Sequence, residues 1–170
     1  MGELARIWFD GWRDAHAHIL PTAIARHRTR DSFRERLHGG IETVRVAERR
    51  GVIAGFAMTK GNEVYQLYVA APARGLGVAN ALLDDAVARI RSRGAATVWL
   101  GCAIGNERAA SFYEKSGWRR VGIMRYLLDI PGDFHLDVWR YELDIGSSGS
   151  ESVPGRLTQL STSSSRWVQG

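Results

Sequence analysis

Residues 63–79 read EVYQLYVAAPARGLGVA and predict a strand, a short turn and the start of a helix. The apolar and aromatic run that begins at Glu63 ends at Ala71-Pro72, and the helix after the glycines extends to about Arg93. Amides in the first turn of a helix have no partner within the helix, and the helix dipole places partial positive charge there. A strand–turn–helix unit of this kind therefore predicts a backbone site for phosphate.

The turn itself contains two glycines and one arginine. Gly75 and Gly77 let the backbone curl where a side chain would collide with a ligand, and Arg74 supplies a cation beside it. The turn is not a Walker motif, because no Gly-Lys-Ser/Thr follows, and the third glycine of the dinucleotide fingerprint is missing. An ordinary glycine-rich turn that merely begins a helix is the competing interpretation of these residues alone.

Further helices and strands are predicted on both sides of this unit. Helical spacing of apolar residues covers residues 4–26 with an interruption at Pro21. A second helix is predicted from Asp31, as its N-cap, to Gly39-Gly40. Strands are predicted at residues 41–48, 52–58, 63–70, 95–103, 118–129 and 134–145, with a short helix at 106–116. The predicted fold class is α/β (α+β), with a mixed, mostly antiparallel central sheet of about six strands flanked by helices.

Length and composition indicate one globular domain followed by a tail. The chain has 170 residues, of which 45% are hydrophobic and 24% charged. Residues 1–145 carry the predicted helices and strands. Residues 146–170 are rich in Ser, Gly and Thr and cannot bury enough apolar surface to fold alone. We therefore expect a domain over 1–145 and a tail over 146–170.

The cysteine count and the apolar runs indicate the compartment. Cys102 is the single cysteine, so no intramolecular disulfide can form, as is typical of a reducing cytoplasm. Cys102 lies in an apolar strand, and we interpret it as buried packing rather than a nucleophile. The sequence contains no run of 18 apolar residues and its first residues lack the apolar region of a secretory signal. A cytoplasmic protein without a membrane partner is expected.

The net charge of +5 and pI of about 9.9 raise the question of nucleic acid. The basic residues are nearly all Arg and are interleaved with acidic residues, and no basic run is longer than two. This pattern indicates a mixed solvated surface, so no nucleic-acid partner is expected. The excess of positive charge can still attract a cofactor that carries several phosphates.

A second motif follows the glycine-rich turn, at residues 106–118, which read NERAASFYEKSGW. The two motifs together resemble the GNAT superfamily of N-acetyltransferases. The first family pattern, Arg/Gln-x-x-Gly-x-Gly/Ala, is met by Arg74, Gly77 and Ala79. The second, Asn-x-x-Ala-x-x-x-Tyr-x-x-x-Gly-Phe/Trp, is met at Asn106, Ala109, Tyr113, Gly117 and Trp118. The resemblance covers roughly residues 3 to 145 and is carried by both motifs at the family spacing.

The resemblance implies acetyl-CoA as acyl donor and no metal. The diphosphate would rest on the amides of Leu76 to Ala79, and the pantetheine arm would lie along the backbone of Leu67 to Val69. An amide at Val69 or Ala70 would face the thioester oxygen. The implied binding residues are Leu67, Tyr68, Val69, Arg74, Gly75, Leu76, Gly77, Val78, Ala79, Asn106, Ala109 and Tyr113.

Tyr113 and Glu63 are the catalytic residues that the resemblance implies. A phenol with pKa near 10 can protonate a departing thiolate, whereas the alternative for Tyr113 is a core aromatic residue. Glu63 resembles the catalytic glutamate of the histone-acetylating branch, and its alternative is a solvated residue after a turn. His16, His18 and His135 are further candidates for the base.

The chain departs from the family pattern at its start. The family opens with a strand before the first helix, whereas this sequence begins within that helix. The sheet is therefore expected to lack its first strand or to borrow one from a partner chain or from its own tail. A first strand paired with residues 157–168 would support borrowing from the tail, and an edge-paired or strand-exchanged homodimer stays open.

The implied function is an N-acetyltransferase that moves an acetyl group from acetyl-CoA to a primary amine of a small molecule or peptide, by direct attack in a ternary complex. A non-catalytic CoA-binding sensor of the same fold and a basic nucleic-acid-binding domain are the alternatives. The acceptor and the length of the acyl group stay open. We expect the acceptor to contact the first two helices and the loop near residues 131–135.

Overall fold

The structure, a computed structural model, describes residues 1–146 and 166–169. Its α-helices are α1 (Gly2–His16), α2 (Thr22–Ala25), α3 (Arg30–Gly39), α4 (Val78–Ser92) and α5 (Glu107–Lys115). Short 3-10 turns lie at Ile41–Thr43 and Ala71–Ala73. Within these residues, no helix combines the length and the apolar character that crossing a membrane would require.

The strands form one sheet. They are β1 (Val44–Arg49), β2 (Val52–Lys60), β3 (Glu63–Val69), β4 (Thr97–Ala103), β5 (Arg119–Leu127), β6 (His135–Asp144) and β7 (Arg166–Gln169). Their order across the sheet is β5-β6-β4-β3-β2-β1-β7, and every neighbouring pair is antiparallel except β3 and β4. The predicted fold class is confirmed, because the six expected strands form a mostly antiparallel sheet flanked by helices.

The N-terminal helices differ from prediction at their ends. The helical stretch over 4–26 divides into α1 and α2, as the predicted interruption at Pro21 implies, but α1 already ends at His16 and Pro21 is the N-cap of α2. The N-cap of α3 is Thr29, not Asp31 as predicted. The Thr29 hydroxyl accepts the Ser32 amide at 3.1 Å, and the Ser32 hydroxyl accepts the Thr29 amide at 3.0 Å. This reciprocal capping box outweighs the single cap that Asp31 could provide.

The edge of the sheet next to β1 is covered by the tail. Residues 166–169 run antiparallel to β1, with Arg45 opposite Gln169 and Glu48 opposite Arg166. Of the alternatives for the missing first strand, this pairing favours a strand borrowed from the tail. An additional strand removes the unpaired backbone groups that an edge strand otherwise exposes. Residues 147–165 and 170, which include two apolar tail residues at 157 and 160, lie outside the described residues.

The sheet has a helical layer on each face. On one face, α1 and α3 bury Trp8, Phe33 and Leu37 against β1 and β2. On the other face, α4 and α5 pack on the sheet, and Leu82 and Ile90 have no exposed surface. Fully burying side chains of this size stabilises the fold by roughly 1.5–3 kcal/mol each. Two cores of this kind hold the middle of the sheet, and hence the ends of β3 and β4, in fixed positions.

Candidate functional site

The two parallel strands at the centre of the sheet diverge. β3 and β4 pair only where Glu63 lies opposite Trp99, and the Trp99 amide donates to the Asn62 carbonyl at 3.0 Å. The register of β3 against β2 shifts by one residue at Tyr65, and such a bulge bends the strand that contains it. A gap therefore opens between β3 and β4 toward their C-terminal ends.

The backbone of β3 offers unpaired groups to this gap. The Ala70 amide donates to the Ala54 carbonyl at 2.8 Å, and Gly55 lies opposite Val69. In an antiparallel pair, successive residues direct their backbone groups to opposite sides, so the amides of Leu67 and Val69 face β4. Of the two amides expected to face the thioester oxygen, that of Ala70 is already bonded within the sheet, and that expectation was wrong for Ala70. Of these two, only the Val69 amide is free and faces β4.

A cavity of about 440 Å³ occupies the gap. Ten of the twelve predicted cofactor residues line it: Leu67, Tyr68, Val69, Arg74, Gly75, Gly77, Ala79, Asn106, Ala109 and Tyr113. The side chains of the other two lie elsewhere, since Leu76 is exposed to solvent and Val78 packs in the core. The structure therefore brings both sequence motifs to one cavity, from opposite walls.

One end of the cavity is the N-terminus of α4. Gly75 and Gly77 have φ values of 74° and 81°, which favour glycine, and a Cβ built on either would meet no atom within 4 Å. Gly77 is the N-cap, no side chain caps the helix, and no acidic residue lies in its first turn. The first amides of this 15-residue helix thus face open space with the positive end of its dipole. The arrangement suits an anion.

Two arginines line this cavity. Arg74 forms an ion pair with Asp14 of α1 at 2.8 Å, so its charge is already shared with a carboxylate. Arg108 on α5 lines the same cavity and is exposed. Sequence analysis had not identified Arg108, because the second motif specifies no residue at that position.

The opposite wall is α5. Asn106 is its N-cap, as predicted, and its side-chain oxygen accepts the Ala109 amide at 3.2 Å. Tyr113 is half-buried, and its ring lies 5.8 Å from that of Tyr141 and 5.3 Å from that of Phe112. Its hydroxyl has no hydrogen-bond partner among residues 1–146. Burial raises the pKa of Tyr113 well above its usual value, so the phenol keeps its proton at neutral pH. Tyr113 is thus both a packed aromatic ring and a protonated group that lines the cavity.

Cys102 lies beside Tyr113 in the same cavity but is 4% exposed. Burial, with a smaller contribution from Glu107, raises the pKa of its thiol to about 12. A protonated thiol is a poor nucleophile. This agrees with the interpretation of Cys102 as packing.

A second cavity, of about 970 Å³, adjoins the first. The two cavities share His16, Tyr65, Gln66, Tyr68, Gly101 and Ala103 as lining residues. The second cavity is bounded by Trp12, Leu20 and Ile24 on the helical side and by residues 128–133 on the other. These are the elements that sequence analysis had associated with the acceptor.

Glu63 lines the second cavity and is 5% exposed. The Tyr126 hydroxyl donates to its Oε1 at 2.7 Å. Burial raises the pKa of Glu63, and the hydrogen bond from Tyr126 lowers it by less. The alternative of a solvated glutamate after a turn is therefore wrong. No local signal identifies Tyr126, which is far from Glu63 in the chain and reaches it from β5.

His16 lies where the two cavities meet. Its Nδ1 is 3.0 Å from the Trp12 carbonyl oxygen, and because a carbonyl can only accept, Nδ1 carries the proton. Burial lowers the pKa of His16 to about 4, so the ring is neutral and Nε2 has a free lone pair. His18 and His135 line neither cavity. Of the three candidate histidines, the structure brings only His16 to the site.

Among the residues with described side chains, no three His, Cys, Asp or Glu groups cluster as metal ligands would. The two cavities offer free amides on β3 and α4, a protonated phenol, a buried carboxylate and a neutral imidazole.

Comparison of the sequence with known families finds one match. The pattern of the acetyltransferase (GNAT) family matches residues 4–118. An uncharacterised N-acetyltransferase of Mycobacterium tuberculosis is 34% identical over 101 residues, which cover 56% of this chain and 65% of that protein. The chain thus spans less than two thirds of the length of this relative.

Solved structures share the fold. A GCN5-related N-acetyltransferase of Rhodopseudomonas palustris superposes with a TM-score of 0.65 at 22% identity, covering 84% of this chain and 88% of that chain. An N-acetyltransferase of Thermoplasma acidophilum, solved in complex with coenzyme A, gives a TM-score of 0.56 at 17% identity, covering 84% and 91%. At these identities the likeness concerns the arrangement of helices and strands.

Proposed function

Because this chain belongs to the acetyltransferase (GNAT) family, we propose that it transfers an acetyl group from acetyl-CoA to a primary amine of a small molecule or peptide. The observation that carries this proposal is the first cavity. It joins a glycine-rich helix N-terminus, a strand edge with free amides and a protonated tyrosine, and these are the groups that a CoA thioester requires.

In this proposal the α4 amides after Gly77 hold the diphosphate, and Arg108, which lines the same cavity, adds a cation. The pantetheine arm lies between β3 and β4 and bonds to the backbone of Leu67 and Val69. The Thermoplasma acidophilum protein of the same fold was solved with coenzyme A, which supports coenzyme A as the ligand of this fold. The Val69 amide then faces the thioester oxygen, where negative charge develops during attack.

The acceptor amine enters from the second cavity. An alkylamine with a pKa near 10 is mostly protonated at neutral pH and must lose a proton before it can attack. Glu63 is buried and its pKa is raised, but it is ionised at pH values above that pKa. In its ionised form it takes this proton directly or through water. The amine attacks the acetyl carbonyl, the carbon–sulfur bond breaks, and Tyr113 donates a proton to the departing sulfur. The new amide nitrogen loses its second proton to solvent, Glu63 releases the proton that it took, and solvent restores the proton of the Tyr113 phenol.

The first test is a screen for thiol release with acetyl-CoA and a library of amines, beside a titration of acetyl-CoA binding. We expect saturable binding and amine-dependent release of CoA. Binding without release for any amine would favour a non-catalytic CoA-binding module instead. Failure to bind acetyl-CoA at all would remove the proposed function.

Glu63→Gln is expected to lower kcat by about 10- to 100-fold, at the low end of general base catalysis, because His16 stays near the amine. A glutamate base works only when ionised, so in the unmodified protein kcat/KM falls as pH drops through the raised pKa of Glu63. This acidic limb should be absent from Glu63→Gln. The measurement is kcat/KM from pH 4 to 8 on both proteins.

Tyr126→Phe is the matched variant for this prediction. It retains the carboxylate but removes the hydrogen bond that favours its charged form, so the pKa of Glu63 rises further. The acidic limb should move to higher pH. An unchanged limb in both variants would assign the titration to another group, of which His16 is the nearest candidate.

A further inference from the structure

Arg28 is a buried cation that faces the second cavity. It follows α2, is 7% exposed and lines the cavity wall. Its Nη1 donates one hydrogen bond, to the Asp129 carbonyl oxygen at 3.3 Å. Arg28 forms no side-chain hydrogen bond and no ion pair with any other described residue. A guanidinium has five N–H donors, so most of its donor capacity is available to a molecule in the cavity.

The neighbouring Arg36, in contrast, has partners for its guanidinium. Its guanidinium contacts the Tyr65 hydroxyl, lies 3.4 Å from the Asp129 carboxylate and stacks 4.5 Å from the Trp8 ring centre. The nearest carboxylate is therefore already paired with Arg36. His16, which lines the same cavity, is neutral. The Asp129 carboxylate also attracts Arg28, but it is mostly exposed and forms no ion pair with it, so it offsets this buried charge only in part.

An unpaired buried cation is unfavourable unless an anion joins it. Burial and the nearby Arg36 lower the pKa of Arg28 to about 10, and at neutral pH it stays charged. The fork of a guanidinium matches the two oxygens of a carboxylate or phosphate. An anion that enters the cavity would therefore offset the unfavourable free energy of burying the Arg28 charge.

The opposite charge lies elsewhere in the same cavity, at Glu63 on β3. We propose, on the basis of the acetyltransferase function above, that the acceptor is an amine that also carries an anionic group, a carboxylate or a phosphate. Arg28 binds the anionic group, and the amine is directed toward Glu63 and the thioester. Such an acceptor neutralises both buried charges at once.

Other acceptor classes fit the cavity less well. A polyamine would bring a second ammonium group toward Arg28, Arg36 and Lys60 on the cavity wall. The carboxylates of Asp129 and Asp133 also line this cavity, but both are largely exposed to solvent, which weakens their attraction for a second ammonium group. Like charges in a site of low dielectric constant repel strongly. A neutral alkylamine would leave Arg28 unpaired in the complex. The observations therefore favour an amino acid or an aminoalkyl phosphate as the chemical class.

The test compares acceptors that differ only in charge. Linear ω-amino carboxylates from glycine to aminohexanoate are assayed beside their carboxamides, and aminoalkyl phosphates beside the matching aminoalkanols. We expect the ratio of kcat/KM, anionic over neutral, to exceed about 30 for the best chain length, as for a buried charged pair. The carboxylate and phosphate series distinguish the two kinds of anion, and the optimal chain length reports the separation of Arg28 from the reacting amine.

Arg28→Met should reduce this ratio at least tenfold, and Arg28→Lys, which keeps the charge without the fork, should reduce it less. The ratio is measured within one preparation, so a loss of folded protein cancels. Arg26→Met, an exposed arginine two residues earlier, is the matched control and should retain the ratio.

A ratio near unity in the unmodified protein would overturn the inference, as would an unchanged ratio in Arg28→Met. Either result leaves the acetyltransferase function intact if neutral amines are acetylated. Failure to bind acetyl-CoA, seen in the separate titration, would instead remove the function on which the inference rests.

Discussion

Tyr113→Phe is expected to lower kcat by about 100- to 10,000-fold, the usual contribution of a general acid, while the Kd of acetyl-CoA changes by less than about twofold. The substitution removes only the hydroxyl, and that hydroxyl has no hydrogen-bond partner in residues 1–146. The ring stays packed against Phe112, Trp118 and Tyr141. Pre-steady-state turnover and calorimetric titration measure the two quantities separately.

The raised pKa of Tyr113 also predicts how turnover depends on pH. The phenol stays protonated well above its ordinary pKa, so deprotonation of Tyr113 should not reduce turnover up to about pH 10. A weak acid transfers its proton only as charge develops on the sulfur, and for this reason the hydroxyl must point at the leaving group. An alkaline loss of activity below pH 9 that disappears in Tyr113→Phe would contradict this account.

Tyr141→Phe is the matched control. Tyr141 belongs to the same aromatic cluster, but its hydroxyl donates to Glu114 at 2.9 Å and it lines neither cavity. We expect a modest loss of stability, about 1 kcal/mol for one hydrogen bond, and kcat within about threefold of the unmodified protein. Equal losses of kcat in both variants would indicate a packing role for Tyr113.

Features determined by neighbouring residues could be predicted from the sequence. The N-cap at Asn106 and the turn before α4 depend on a few consecutive residues, and both form as expected. The cap of α3 was misassigned because Thr29 and Asp31 are both good caps, and only the side chain of Ser32 decides between them. Neighbouring residues are enough to predict such a feature when only one of them can form it. They are not enough when two residues can cap the same helix.

Features determined by distant residues could not be predicted. The burial of Glu63 is one example: the residue follows a turn, which favours the solvated alternative, but it is 5% exposed and Tyr126 of β5 bonds to it. Arg28 lies in a polar segment, RHRTRDSFRER, that indicates a surface, and only the folded chain shows that Arg28 is buried against a cavity. In both cases burial depends on contacts between segments far apart in the chain, which hydrophobic periodicity does not record.

Gly77→Asp is expected to raise the Kd of acetyl-CoA by at least 100-fold. Gly77 is the N-cap of α4, and open space lies above it in the cavity. A carboxylate here would occupy the position proposed for the diphosphate. At about 5 Å and an effective dielectric constant near 20, two like charges repel by about 3 kcal/mol, which corresponds to more than a hundredfold in affinity. Calorimetric titration of acetyl-CoA measures the effect.

Two variants separate this charge effect from backbone strain, because Gly77 has a φ of 81° and any side chain there is strained. Gly77→Asn has nearly the same size, tolerates the left-handed region and is neutral, so we expect a weaker loss of affinity than with Asp. Gly94→Asp places the same charge at a similar φ of 86°, at the other end of α4 and outside both cavities, and should bind acetyl-CoA normally. Normal affinity in Gly77→Asp would move the diphosphate away from α4. The position of the diphosphate fixes where the rest of the cofactor lies. Without it, the proposal that β3 and Tyr113 contact the same cofactor would no longer be supported.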